Sequence, residues 1–220
     1  MDRHSQRPTP DYSLYLVTDR DLMSCSTIEE SVEQAILGGC TVVQLCEKTA
    51  DSREFYDIAV RVREITTCLG VPLIINDRVD IALAVNADGV HVGQSDLPPE
   101  IVRRIIGQDK LVGVSASNLA EALAAVESGA DYLGVGAMFA TGTKTNANIV
   151  SMEELHEIRR KISLPLVVIG GINKETLPLF KGSGIDGIAV VSAVVSQEDI
   201  AGAARGLLGQ WRNIMLGERR

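Results

Sequence analysis

From Leu14 onward the chain alternates between two hydrophobic rhythms. Short, nearly continuous aliphatic and β-branched runs bounded by Gly, Pro, Asn or Asp predict strands. They fall at Leu14–Val17, Thr41–Cys46, Pro72–Ile75, Gly89–Val92, Leu111–Ser115, Tyr132–Gly136, Leu164–Ile169 and Gly187–Val191. Between them, apolar residues recur every three or four positions, which predicts helices over 26–38, 52–68, 78–86, 98–106, 118–128, 151–161, 174–182 and 197–215. Ser26, Asp51, Asn118 and Ser151 stand where N-caps belong. Strands that are apolar at every position, rather than at alternate ones, belong to a parallel sheet covered on both faces.

Three helix-to-strand passages share one pattern: Gly38-Gly39-Cys40-Thr41, Ser128-Gly129-Ala130-Asp131 and Ser183-Gly184-Ile185-Asp186. A glycine just past a helix adopts the left-handed conformation that ends it, and a small or apolar residue then leads into the next strand. Eight βα units follow one another with no compositional break after about residue 12, which predicts an α/β fold, a single-domain (β/α)8 TIM barrel. Residues 1–12 read as a flexible N-terminal extension, 13–215 as the barrel and 216–220 as a C-terminal tail. A doubly wound sheet is the alternative, but Thr18-Asp19-Arg20-Asp21 stands after the first strand where such a sheet carries G-x-G-x-x-G.

The net charge of −8 argues against a broad nucleic-acid-binding surface, so any anion must be held locally. The longest nearly uncharged apolar stretch, Leu164–Ile172, is far short of the roughly 20 residues of a membrane span. The N-terminal segment has no apolar core of a signal peptide, which predicts a cytoplasmic protein. Cys25, Cys40, Cys46 and Cys68 form no C-x-x-C pair, so reduced thiols are expected rather than a zinc site or a disulfide framework. The sequence leaves a homo-oligomeric state open.

In a barrel of this kind, chemistry gathers where strands end and βα loops begin. Asp77 and Asp96 come from neighbouring loops, and two carboxylates in one small volume call for a cation. Mg²⁺ fits, because it takes one or two carboxylates together with waters and substrate phosphate oxygens. Each aspartate alone could equally cap the helix that follows it. Lys48 and Lys144, with Thr141 and Thr143 around Gly142, offer donors to a diphosphate, although any one lysine could be a solvated surface residue. Gly170-Gly171 and Ser192 fall where barrels build phosphate sites from backbone N–H groups, although glycine pairs also punctuate ordinary turns.

The ordered set of motifs resembles the thiamine phosphate synthase family. It comprises Tyr15-Leu16-Val17-Thr18-Asp19, Gln44-x-x-Glu47-Lys48, Ile75-Asn76-Asp77, Gly89-Val90-His91-Val92-Gly93-Gln94-x-Asp96 and Gly113-x-Ser115. Gly134-x-Gly136, Thr141-x-Thr143-Lys144, Gly170-Gly171-Ile172 and Ser192-Ala193 complete it, so the likeness covers about residues 13–200. The resemblance implies a Mg²⁺-assisted transferase joining hydroxymethylpyrimidine diphosphate to a thiazole phosphate, with release of pyrophosphate. The implied order is dissociative: diphosphate leaves, the pyrimidine methylene becomes a stabilised cation, and the thiazole nitrogen attacks. Carried over residue by residue, Asp77 and Asp96 are similar to the metal ligands. Gln44, Lys48, Asn76 and Lys144 are similar to the ligands of the pyrimidine diphosphate, and Ser115 to the residue beside the pyrimidine and the departing diphosphate. Thr141, Thr143, Gly171, Val191 and Ser192 are similar to the thiazole phosphate site. The catalytic set so implied is Lys48, Ser115 and Lys144.

The chain departs from the family pattern in three places. Cys46 stands where the family has arginine, Ala137 and Ala140 replace prolines of the sixth loop, and Asn146 takes an acidic position. A thiol supplies neither the fixed charge nor the forked donors of a guanidinium. Two other readings remain at this stage: a thiazole tautomerase-like relative, for which Ser117 occupies a position where such relatives carry histidine, and a non-catalytic phosphate-binding barrel. His91, within a strand, is expected to be structural.

Overall fold

The eight aliphatic runs pair in sequence order into a closed parallel barrel in the computed structural model, which describes residues 9–140 and 149–218. The strands are β1 (Leu14–Val17), β2 (Val42–Leu45), β3 (Leu73–Asn76), β4 (Gly89–Val92), β5 (Leu111–Ala116), β6 (Tyr132–Val135), β7 (Leu166–Val168) and β8 (Gly187–Val190). β1 lies beside β8 with Tyr15 opposite Ala189, which closes the ring. The helices are α1 (Ile28–Leu37), α2 (Ser52–Cys68), α3 (Val79–Ala84), α4 (Pro99–Ile106), α5 (Leu119–Glu127), α6 (Met152–Lys161), α7 (Ser192–Val195) and α8 (Ile200–Glu218). Gly39, Gly129 and Gly184, the repeated helix-ending glycines, all have positive φ (110°, 86° and 72°).

Asp51, Asn118 and Ser151 cap their helices by accepting the N–H of Glu54, Glu121 and Glu154. At α1 the cap is Thr27, not Ser26: its Oγ1 accepts the Glu30 N–H at 3.2 Å. The helix expected over 174–182 is only a single 3-10 turn, Leu177–Phe180. Asn173 Oδ1 accepts the N–H groups of Glu175 and Thr176 at 3.0 and 2.9 Å, and Pro178 has no N–H to give, so local turns displace the α-helix. The last predicted helix begins later, at Ile200, and a separate one-turn helix, α7, precedes it.

Successive strand residues point alternately outward and inward. Outward residues such as Leu16, Val43, Leu73, Val90 and Val114 are buried against the helices in the main core. Inward, Tyr15, Val17, Val42, Ile74, Tyr132, Val167 and Ala189 form a second cluster inside the barrel. Tyr12, assigned to the extension on sequence grounds, joins that inner cluster: it is 4% exposed, and its ring lies 4.9 Å from that of Tyr132.

The N-terminal end of the barrel is tied by a device repeated at every second strand. The residue just before β2, β4, β6 and β8 accepts, through its side chain, an N–H at the start of the preceding strand. Thr41 takes that of Leu14, Asp88 that of Leu73, Asp131 that of Val112 and Asp186 that of Leu166, at 2.8–3.1 Å. At the three aspartates an arginine from the helix preceding that strand pair's first member closes the tie: Arg63 from α2, Arg103 from α4 and Arg159 from α6. This repeated tie serves stability, leaving the opposite face for chemistry.

Candidate active site

At the C-terminal face the loops after β2, β3 and β4 bring three charged groups together. Asp77 follows β3 directly, with φ at 62°, a left-handed conformation that few non-glycine residues adopt. Its N–H donates to the His91 carbonyl at 2.8 Å, which extends the β3–β4 ladder by one bond and fixes that turn. Its Oδ2 accepts from Lys48 Nζ at 2.6 Å. Burial works against the Lys48 ammonium, but the Asp77 hydrogen bond and the charges of Cys46, Asp77 and Asp96 outweigh it and raise its pKa. Asp96 accepts the Gly93 N–H through Oδ2 at 2.8 Å. Burial pushes the Asp96 carboxyl upward, and the neighbouring Asp77 carboxylate adds to the shift against the pull of Gly93 and Lys48.

Neither aspartate caps a helix. The residues preceding α3 and α4 are Arg78 and Pro98, and neither gives a side-chain cap. Two carboxylates held side by side, one with an upward-shifted pKa, form a donor set whose like charge Lys48 offsets only in part. That set fits a divalent cation completed by waters and phosphate oxygens. Among the described residues no group of three or more His, Cys, Asp or Glu side chains could hold a metal.

Gln44 and Ser115 stand across the barrel from one another, on β2 and β5, and are joined through its interior. Gln44 Nε2 donates to Tyr15 Oη at 2.8 Å, and Tyr15 Oη lies 2.7 Å from Tyr132 Oη. His91 Nδ1 is 3.1 Å from Tyr132 Oη, and its Nε2 is 3.0 Å from Ser115 Oγ. The Ser115–His91 pair is no catalytic triad, because the third member is a phenol and not a carboxylate. His91 is structural in position, as expected, yet it touches a candidate site residue. Asn76 ends β3 opposite His91 in the strand register.

On the far side of the mouth, Gly170 and Gly171 have φ of 96° and 68°. A Cβ on Gly171 would lie 2.7 Å from that of Phe139, so this pair also serves the close approach of the loops after β6 and β7. Val191 precedes α7 and Ser192 opens it, exposed, while the Val191 carbonyl accepts the N–H groups of Val194 and Val195 at 3.0 and 2.9 Å. Thr141, Thr143, Lys144 and also Asn146 lie outside the described residues.

The solved thiamine phosphate pyrophosphorylase of Pyrococcus furiosus superposes with a TM-score of 0.87 at 39% identity, over 94% of this chain and 98% of that one. The thiamine-phosphate synthase of Clostridium beijerinckii is 61% identical over 208 residues, which is 94% of this chain and all of the relative. That of Ruminiclostridium cellulolyticum is 62% identical over 198 residues, 90% of this chain and 94% of the relative. The model of the thiamine monophosphate synthase family matches residues 14–194. The chain belongs to the thiamine monophosphate synthase family. It is an enzyme of the transferase class, and the family match takes in every candidate site residue from Gln44 to Ser192 while stopping before α8.

Two features of this thiamine monophosphate synthase family member were not foreseen from sequence. One is the interior row of Tyr15, Tyr132 and His91, whose only signal is a set of glycines, Gly113 and Gly134, facing large residues: a Cβ on Gly113 would come within 2.2 Å of Tyr132 Cζ and 2.5 Å of His91 Nδ1. The other is a bridge between the loops after β1 and β2. Arg20 pairs with Glu47 at 2.8 Å and with Glu54 of α2 at 2.7 Å, and the Glu47 side chain is only 1% exposed. Burial raises the Glu47 pKa while Arg20 opposes the shift. This bridge anchors the segment that carries Lys48.

Proposed function

We propose that the C-terminal mouth of the barrel joins a hydroxymethylpyrimidine diphosphate to a thiazole phosphate, releasing pyrophosphate and forming thiamine phosphate. The cluster of Lys48, Asp77 and Asp96 carries this reading. Asp77 and Asp96 would hold Mg²⁺, and the bound ion would supply positive charge against that of the departing diphosphate. Lys48 and Lys144 add positive charge on the same diphosphate, and Gln44 and Asn76 orient the pyrimidine. Ser115 donates a hydrogen bond where the C–O bond breaks and its electron pair moves to the diphosphate. The thiazole nitrogen then forms the new C–N bond to the pyrimidine methylene, so no protein nucleophile is required.

Gly171, Val191 and Ser192, with Thr141 and Thr143, hold the thiazole phosphate. A one-turn helix after the eighth strand is where barrels present N–H groups to phosphate. Replacing Ser192 by Asp is expected to raise the thiazole phosphate KM by at least about tenfold through like-charge repulsion, with little effect on the diphosphate KM. Steady-state kinetics with each substrate varied checks this, and an unchanged thiazole KM assigns that phosphate elsewhere.

Cys46 directly follows β2, and its N–H donates to Thr18 Oγ1 at 2.9 Å. Its charge interaction with Lys48 supports a position near the proposed diphosphate site. Restoring arginine, Cys46→Arg, is expected to raise diphosphate affinity or turnover several-fold, up to about tenfold for one charge-assisted hydrogen bond. No gain in either constant would mean that another group already supplies the charge.

The tautomerase-like reading is the weaker one. Ser117 donates from both N–H and Oγ to Glu121 Oε2, at 2.7 and 2.9 Å, and so belongs to the start of α5. No disulfide joins Cys25, Cys40, Cys46 or Cys68, and among the described residues no helix is long and apolar enough to cross a membrane; the proposed location is the cytoplasm. The deciding experiment incubates purified protein with both phosphorylated substrates and Mg²⁺ and follows thiamine phosphate and pyrophosphate. Equal amounts of both products support the reading. Binding of either substrate with no product at high enzyme concentration would leave a phosphate-binding barrel.

A further inference from the structure

The row of polar groups inside the barrel has a direction. Tyr15 and Tyr132 are 1% exposed, and Gln44 and His91 are 6% and 8% exposed, among Val42, Ile74, Val167 and Ala189. Each phenol has one proton to donate, and a neutral imidazole has one donor and one acceptor nitrogen. Four hydrogen bonds in series through such groups therefore all run the same way. The Gln44 amide nitrogen at one end can only donate, and it donates to Tyr15 Oη at 2.8 Å. With that end fixed, the sense that uses every buried proton within the row has Tyr15 giving its proton to Tyr132, Tyr132 giving its own to His91 Nδ1, and His91 Nε2–H donating to Ser115 Oγ, across contacts of 2.7, 3.1 and 3.0 Å. The Ser115 hydroxyl proton is left to point away from the row, toward the mouth.

We infer that Tyr15, Tyr132 and His91 are positioning residues that fix Ser115 as a hydrogen-bond donor to the substrate and tie its orientation to that of Gln44. This rests on the placement of Gln44 and Ser115 at the pyrimidine diphosphate. An oriented donor needs no rearrangement as negative charge grows on the departing oxygen, which is how preorganised dipoles lower a barrier. Because the row is unidirectional, turning the Gln44 amide over would reverse every bond in it, so that Ser115 would donate into the row and offer the substrate only its lone pairs. A ligand group meeting Gln44 thus selects the hydrogen-bonding character presented by Ser115 on the opposite strand. Gly113 keeps the path open, since a Cβ there would lie 2.2 Å from Tyr132 Cζ and 2.5 Å from His91 Nδ1, and at Gly134 a Cβ would press on His91 at 3.0 Å.

Two measurements test this. In the unaltered protein, long-range proton–nitrogen NMR on labelled histidine is expected to show His91 protonated at Nε2 and bare at Nδ1. Protonation at Nδ1, or at both nitrogens, overturns the direction. In kinetics, Tyr132→Phe keeps the ring and removes the link to Nδ1. It is expected to lower kcat about tenfold, the worth of roughly one hydrogen bond, with the thiazole phosphate KM unchanged. In a Ser115→Ala background the same change is expected to have no further effect. Equal losses in both backgrounds would show a merely structural tyrosine and overturn the inference, while the synthase reading would survive. If neither background nor the parent forms thiamine phosphate, the functional reading has failed, and the NMR result still reports the direction of the row.

Discussion

Replacing Asp77 by alanine is expected to lower Mg²⁺-dependent turnover by on the order of 10²-fold or more, with the thiazole phosphate KM near that of the parent. The change removes one of the two carboxylates of the cluster and frees Lys48 from its 2.6 Å partner. It also places alanine at φ 62°, which costs about 1 kcal/mol of backbone strain. Asp77→Asn separates the two effects, because asparagine tolerates that conformation and lacks only the charge. Both variants should lose rate and should need more Mg²⁺ to reach half-maximal activity. A Mg²⁺ titration that superposes on the parent's would take Asp77 out of the metal role.

Removing the carboxylate of Asp131 at the opposite end of the barrel is expected to destabilise the protein by about 3–5 kcal/mol. Both Arg103 and Asp131 are 10% exposed, and Asp131 also accepts the Val112 N–H at 2.8 Å. Alanine there leaves a guanidinium largely out of water with only carbonyl partners, those of Gly107, Lys110 and Gly129. Equilibrium denaturation measures the loss, and kcat of the folded variant should hold because no candidate site residue is near this face. Pairing Asp131→Ala with Arg103→Met should recover part of the stability by removing the stranded charge. A loss below about 1 kcal/mol would mean that the tie is not part of what holds the barrel closed.

The strands were legible because each is buried on both faces, so nearly every position is aliphatic. Asp77, Asp96 and Lys48 were legible because polar residues just past such runs stand out in a barrel. The helix expected over 174–182 failed because Asn173, Thr176 and Pro178 compete locally with a periodicity that the apolar positions do satisfy. The one-turn α7 is too short to have a period at all. Tyr15, Tyr132 and His91 escaped notice for a different reason: in sequence they are ordinary strand residues, and only the inward alternation of a closed sheet joins them. Gly113 and Gly134 were seen as motif glycines, but their steric purpose exists only opposite Tyr132 and His91.

The fourfold tie beneath the barrel has an electrostatic consequence. Three of its members are aspartates seated on arginines, whereas the fourth, Thr41, holds the Leu14 N–H with a neutral hydroxyl and also donates to the Leu14 carbonyl at 3.1 Å. Of the four fastenings, the one between β1 and β2 is thus the one made without a charge, so salt should weaken the other three and leave it unchanged. That quarter carries Gln44 and Lys48 at its upper rim.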